Sequence, residues 1–349
     1  MLLVFLFIVL YLFAVYQIGI KIKYQNQIVL LICIILTFLI GYRSYSIWPD
    51  TIPYVATFNS MNTNPLYESI NYRAYSEKGS LFLTYLVRLL YSSSRFYLIV
   101  MAGLSMALLY RSLSKYCIAP LLGICDYIAR FVITRDCIQM RSSIAIFLVI
   151  LSLRFVYEKK MWYYLAVVFF ASFFHRLALI GIPFYFFNLI KWDKKKILWS
   201  LFIALVLSQV MAGTISGYVE AYSDDFNYGV YTQGQYVDQA KGLGNPMIYF
   251  QVMVLLLFTW YESLLSRSTR FYYVFRAGYL YSTLILIFFC NYTTLSGRTS
   301  TMFATIEMFM LAIMAKKLPK RIRLAFVSVA GLILVYFFIS KYNSVVHFI

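Results

Sequence analysis

Charge is scarce in this chain: only 13% of its 349 residues are Asp, Glu, Lys or Arg, against about 25% in an ordinary soluble domain. A water-soluble fold is therefore excluded. Histidine occurs twice, at His175 and His347, so no multi-histidine catalytic metal site can be assembled. The five cysteines, Cys33, Cys117, Cys125, Cys137 and Cys290, are odd in number and lack CxxC or metal-ligand spacing, which argues against a disulfide framework or a zinc site. GxGxxG, GxxxxGK[ST] and GxSxG are missing, and with them the simplest nucleotide-binding and hydrolase readings. The first run, MLLVFLFIVLYLFAVYQIGI, has neither a basic n-region nor a small-residue cleavage site. It reads as a retained span rather than a signal peptide.

What is abundant is apolar sequence, at 62% of the chain. Apolar runs near 2–20, 27–42, 95–113, 117–134, 142–157, 161–175, 177–191, 197–218, 246–264, 272–291, 298–315 and 323–341 approach the roughly 20 residues that cross hydrocarbon as a helix. The expected fold class is all-α: one integral membrane domain over 1–349 with about 12 transmembrane helices. Segment 80–91 is apolar but short and contains Arg88, so it reads as an interfacial helix. Two longer outer loops are expected, 43–79 and 219–245. Loops of that length usually have a function, and their tyrosines, among them Tyr67, Tyr72, Tyr75, Tyr222, Tyr228, Tyr231 and Tyr236, suit stacking on sugar faces as well as an interfacial belt.

In a soluble domain a formal charge of +18 would suggest nucleic acid. Here it raises the question of how the basic residues divide between two faces. With the N-terminus outside, the inner side carries twelve lysines and six arginines and the outer side nine arginines and three lysines, an orientation that follows the positive-inside rule. Lysine serves as a topogenic charge, whereas arginine offers a rigid donor fork for phosphate or carboxylate. An anionic ligand on the outer side is implied, although for Arg73, Arg88 and Arg95 contact with lipid headgroups is the favoured explanation. Arg43, Arg141, Arg298 and the pair His175–Arg176 all fall at outer helix ends, with Arg135 nearby in sequence. Charge at that depth is expensive, which suggests a shared water-filled cavity. Within the spans, Arg276 and Glu307 are expected to meet as a structural ion pair.

Four patches, GYRSYSIWPDTIPY (41–54), EKGSLFLTYLVRLL (77–90), IQMRSSIAIFLVI (138–150) and FFHRLALIGIPF (173–184), with SGRTSTMF (296–303), resemble in order and spacing the Wzy-type O-antigen and exopolysaccharide polymerases, specifically the EpsG-like branch. The chain departs from that pattern at Trp48-Pro49, Lys78, Ser80 and Ser142 but keeps Arg43, Asp50, Tyr54, Glu77, Arg141, His175 and Arg298. The resemblance implies a GT-C-like polymerase/ligase architecture in the bacterial inner (cytoplasmic) membrane, its active site facing the periplasm. It implies polymerisation of undecaprenyl-pyrophosphate-linked oligosaccharide repeat units, without metal or other cofactor and without nucleic acid, with membrane lipid and a chain-length regulator protein as further partners. Arg43, Arg141 and Arg298, with Arg176 and Arg135, would bind pyrophosphate. His175 or Asp50 would be the base, and Glu77 and Tyr54 would support them. An O-antigen ligase would use similar chemistry. A lipid-linked oligosaccharide flippase would instead place ionisable groups at the midplane.

Overall fold

The computed structural model describes residues 2–19, 24–46, 48, 50–61, 77–211 and 242–346, and all regular secondary structure among them is helical. Each of the twelve apolar runs contains helix within its described part. Arg73, Lys21, Lys23, Lys241, His347, Tyr67, Tyr72, Tyr75 and the tyrosines expected in the second outer loop lie outside the described residues.

Burial along single helices explains why so apolar a chain folds this way. In α8 (Met161–Ser172) Tyr164, Val168 and Ala171 are buried, while Trp162 is 76% exposed and Tyr163, Phe169 and Phe170 are also exposed. In α10 (Lys194–Val210) Ile197, Leu201, Ala204 and Ser208 form the buried stripe and Leu198, Trp199, Phe202 and Ile203 the exposed one. A water-soluble helix is polar opposite its buried stripe; these are apolar all round, as helices facing lipid are. This is a membrane protein. By length and hydropathy three described helices qualify as full crossings: Ser94–Tyr116, Met140–Tyr157 and Lys320–Asn343. Taken together as one broken element, the pair Pro246–Trp260 and Glu262–Ser268, bent by 71°, passes the same test. Shorter apolar helices include Gln25–Gly41, Met161–Ser172 and Tyr272–Phe288. The run at 298–315 is two helices, Thr293–Ala304 and Glu307–Lys317, with a break between them. The run at 177–191 begins as a 3₁₀ turn, Arg176–Ile180.

The described residues pack as two compact units, one of residues 1–179 and 311–349 and one of residues 180–310. In the first, α1 (Leu2–Gly19) and α2 (Gln25–Gly41) precede a short α3 (Thr51–Ser60), and α4 (Lys78–Leu90) leads into α5 (Ser94–Tyr116). Then come α6 (Pro120–Tyr127), continued by a π-helix over Ile128–Asp136, α7 (Met140–Tyr157) and α8. Pro120 starts α6 where its missing N–H costs nothing. Ser93 caps α5 by accepting from Phe96 N at 3.4 Å. α2 lies so close to α5 that a Cβ on Gly41 would come within 2.5 Å of Ile99 Cγ1. Tyr54, Phe58, Val87, Tyr97, Leu98, Met101, Met140 and Ile144 form one buried cluster, which ties α3 and α4 onto α5 and α7.

In the second unit α13 (Tyr272–Phe288) is surrounded by α9 (Gly181–Leu189), α10, α11 (Pro246–Trp260) and α14 (Thr293–Ala304). The expected Arg276–Glu307 pair is corrected here. Arg276 pairs with Glu262 at 2.7 Å and donates to the Trp192 carbonyl at 2.5 Å, while Glu307 accepts from the Tyr279 hydroxyl at 2.5 Å. Arg276 lies on the first turns of α13, close to Glu262 in the bend after α11, whereas Glu307 opens the helix that follows the break at 305–306.

Candidate functional site

The first unit gathers most of the residues singled out in the sequence. Arg43 follows the end of α2 and is 6% exposed. Its Nη1 donates to the Ile40 carbonyl at 2.8 Å, Nε to Thr51 Oγ1 at 2.9 Å, and Nη2 meets Met140 Sδ at 3.0 Å. One guanidinium thus ties together the C-terminus of α2, the start of α3 and the start of α7. Burial lowers its pKa from the ordinary arginine value, with nearby Cys137 and Tyr54 acting in the opposite sense. Arg95 is spent similarly: it donates to the carbonyls of Gly41 at 3.0 Å and Arg43 at 2.7 Å and lies 4.5 Å from the centre of the Tyr45 ring. Arg88 donates to the Phe58 carbonyl near the end of α3. Each donates to at least one backbone carbonyl at or just beyond a helix end.

Arg141, the second residue of α7, is paired with the Glu77 carboxylate and directs Nε to the Tyr54 hydroxyl at 3.4 Å. The other Glu77 oxygen accepts from the Arg176 backbone N–H at 3.2 Å. Glu77 therefore links residues 64 and 99 positions further along the chain. The contact is possible because α4 starts directly on the turn after α8: Gly79 N and Ser80 N both donate to the Phe173 carbonyl, at 3.0 and 3.2 Å. A Cβ on Gly79 would stand 2.7 Å from Phe173 Cβ and 2.8 Å from that carbonyl oxygen. The EKG patch and the FFHR patch are thus in contact, with Arg141 held between them and Tyr54.

Tyr54 is buried, which raises its hydroxyl pKa despite the neighbouring Arg141; the negative charge of Asp50 pushes the same way as burial. It remains a neutral phenol. Asp50 is half-buried at the start of α3, and its carbonyl accepts from Tyr54 N at 3.3 Å. His175 ends the FFH turn: its Nδ1 accepts from Leu177 N at 3.2 Å and its carbonyl from Ala178 N at 3.0 Å, so the side chain caps the 3₁₀ turn that starts at Arg176. The Arg176 side chain is exposed. Arg135 is buried in the π-helix, 4.3 Å from the centre of the Phe131 ring. Arg298 belongs to the second unit, half-buried in α14.

The residue that sequence reasoning missed is Asp136, at the end of the π-helix. It is fully buried, and its carboxylate meets three hydroxyls: Ser105 and Ser143 on Oδ1, at 2.5 and 2.7 Å, and Tyr127 on Oδ2 at 2.7 Å. Ser143 lies two residues after Arg141, so this network fixes the first turn of α7. The polar triplet Thr134-Arg135-Asp136, set against an apolar run, was the available signal. The arrangement offers a preorganised guanidinium and a bridging carboxylate in one contact network, with His175 next in sequence to the amide that Glu77 binds and Asp50 one helical turn before Tyr54. That set can hold an anion and activate a hydroxyl.

The sequence model of the EpsG family matches residues 26–348, nearly the whole chain. No curated protein matches. No solved structure matches.

Proposed function

The chain belongs to the EpsG family, a Wzy-like polymerase family, and from that premise we propose that it polymerises undecaprenyl-pyrophosphate-linked oligosaccharide repeat units at the periplasmic face of the bacterial inner membrane. Membership supports a membrane-embedded polysaccharide polymerase; the lipid-linked donor, the face and the residues are our reading.

One observation carries it: Glu77 holds the Arg141 guanidinium and the Arg176 amide together, so three separate sequence patches meet at one buried arginine–carboxylate pair. In a glycosyl transfer from a pyrophosphate carrier the charge that develops is on the leaving pyrophosphate. A desolvated, carboxylate-oriented guanidinium is suited to stabilise it. Arg141 is the principal donor in this reading, because the donors of Arg43 are directed into protein and its role is to fix the start of α7. Arg298 is proposed as a further pyrophosphate ligand on its sequence motif alone. About twelve crossings with the lysine-rich side inward belong to the proposal, on the positive-inside rule, and a chain-length regulator is a proposed partner.

The test is a chromosomal deletion. Accumulation of single lipid-linked repeat units is expected. Accumulation of long polymer on the lipid carrier would instead identify a ligase and overturn the polymerase assignment.

A further inference from the structure

The imidazole of His175 is the obvious base in the sequence, and the structure gives it the wrong nitrogen for that work. Nδ1 accepts the Leu177 amide proton at 3.2 Å, so it carries a lone pair. A neutral ring with a lone pair on Nδ1 has its proton on Nε2, and an imidazolium, protonated on both nitrogens, is incompatible with the contact. Turning the ring over would set a carbon-bound hydrogen against the Leu177 amide and leave that amide without its acceptor. The backbone thus selects the tautomer, as second partners of histidines generally do.

We propose that His175 works as a neutral hydrogen-bond donor, presenting Nε2–H to an oxygen of the substrate's pyrophosphate beside the Arg141 guanidinium, and is not the base. This rests on the lipid-pyrophosphate reading above. Its place in the contact network supports it: the next residue's amide is bound by Glu77, which also binds Arg141, so the His175 backbone and the guanidinium are registered through one carboxylate. Each Glu77 oxygen already accepts a donor, which commits that carboxylate to holding Arg141 and the Arg176 amide. The base role passes to Asp50. In the step, the acceptor hydroxyl oxygen bonds to the anomeric carbon as the bond from that carbon to the phosphate oxygen breaks. The electron pair leaves with the pyrophosphate, the hydroxyl proton goes to the Asp50 carboxylate, and the Nε2 proton stays on His175.

Two isosteres separate the alternatives, because asparagine places its amide oxygen near the Nδ1 position and glutamine places its amide N–H near the Nε2 position. The full chain in nanodiscs is titrated with undecaprenyl pyrophosphate and, separately, assayed for turnover of a lipid-linked repeat unit. The donor role predicts that His175→Gln keeps binding and turnover within about 10-fold of wild type while His175→Asn loses at least about 100-fold of turnover, the span typical of one transition-state donor. Equal loss in both variants with binding intact restores the base role and overturns the proposal. Near-normal turnover in His175→Asn reduces the residue to a helix cap and overturns it as well.

Should His175→Gln unfold for want of the cap, the tautomer decides: ¹⁵N spectra of histidine-labelled His347→Gln protein report His175 alone, and a proton on Nδ1 refutes the inference. Wild-type protein that does not bind undecaprenyl pyrophosphate would overturn the underlying reading, an outcome distinct from binding that is indifferent to His175.

Discussion

Gly79→Ala is a single methyl group placed where the account is most sensitive. The added Cβ would lie 2.7 Å from Phe173 Cβ and 2.8 Å from the Phe173 carbonyl oxygen. The second of these is backbone, so no side-chain rotation relieves it, and α4 must withdraw from the turn after α8. Overpacking of this kind costs about 1–3 kcal/mol. Withdrawal also weakens the bonds from Gly79 N and Ser80 N to that carbonyl, worth about 0.5–1.5 kcal/mol each. Alanine returns at most about 1 kcal/mol in helix propensity, which leaves a net loss of about 1–5 kcal/mol by these magnitudes. The loss extends to function because Glu77, two residues earlier, would move away from Arg141 and the Arg176 amide. Gly103→Ala is the internal control: its Cβ would sit 3.5 Å from Thr37 Cγ2, an ordinary contact, so the helix gain should leave it neutral or slightly stabilised. Thermal melting in detergent together with polymer yield in cells measures both. Gly79→Ala that melts and polymerises like wild type would refute the docking of the EKG patch on the FFHR turn as the basis of the site.

Arg141→Lys should lose most turnover although the charge is kept, because an ammonium cannot reproduce the guanidinium fork, whereas Arg154→Lys, exposed at the end of α7, should be silent in the same assay. Asp136→Ala removes the shared acceptor of three buried hydroxyls, which keep only one another, Ser105 to Ser143 at 2.6 Å and Tyr127 to Ser143 at 3.3 Å, and should lower the melting temperature more than Asp136→Asn, which still accepts through its amide oxygen; equal melting would detach Asp136 from the fold. Lys159 has φ 56° in the turn between α7 and α8, and Lys159→Gly should raise the melting temperature by relieving roughly 1 kcal/mol of left-handed strain. Single cysteines at the exposed Ser44 and Lys195, in a cysteine-free background, test orientation: an impermeant thiol reagent applied to spheroplasts should label the first and spare the second.

The helices were legible because apolar length alone dictates them in lipid, and every run so identified contains helix among its described residues. The break at 305–306 was not, since it falls inside a single run with no glycine or proline to mark it, whereas the turn at 173–180 lies where the runs 161–175 and 177–191 were already separated at His175–Arg176. The order of the sequence patches pointed to Arg141, Glu77 and His175, but their contacts depend on chain packing across separations of 64 and 99 residues. Arg95 and Arg88 read as lipid-facing charges because a sequence shows a cation and not the helix carbonyls beside it. Arg43 shows the same blindness: its charge was visible, but not that its donors turn inward. Asp136 escaped because its partners come from α5, α6 and α7.

The central claim is that this site joins lipid-linked repeat units. Purified protein in nanodiscs, given a defined undecaprenyl-pyrophosphate-linked repeat unit and no nucleotide or added metal, should produce a ladder of oligomers spaced by one repeat, and Arg141→Lys protein should leave the substrate as monomer. A wild-type reaction in which the monomer persists, or is transferred only once to another lipid, would contradict the account.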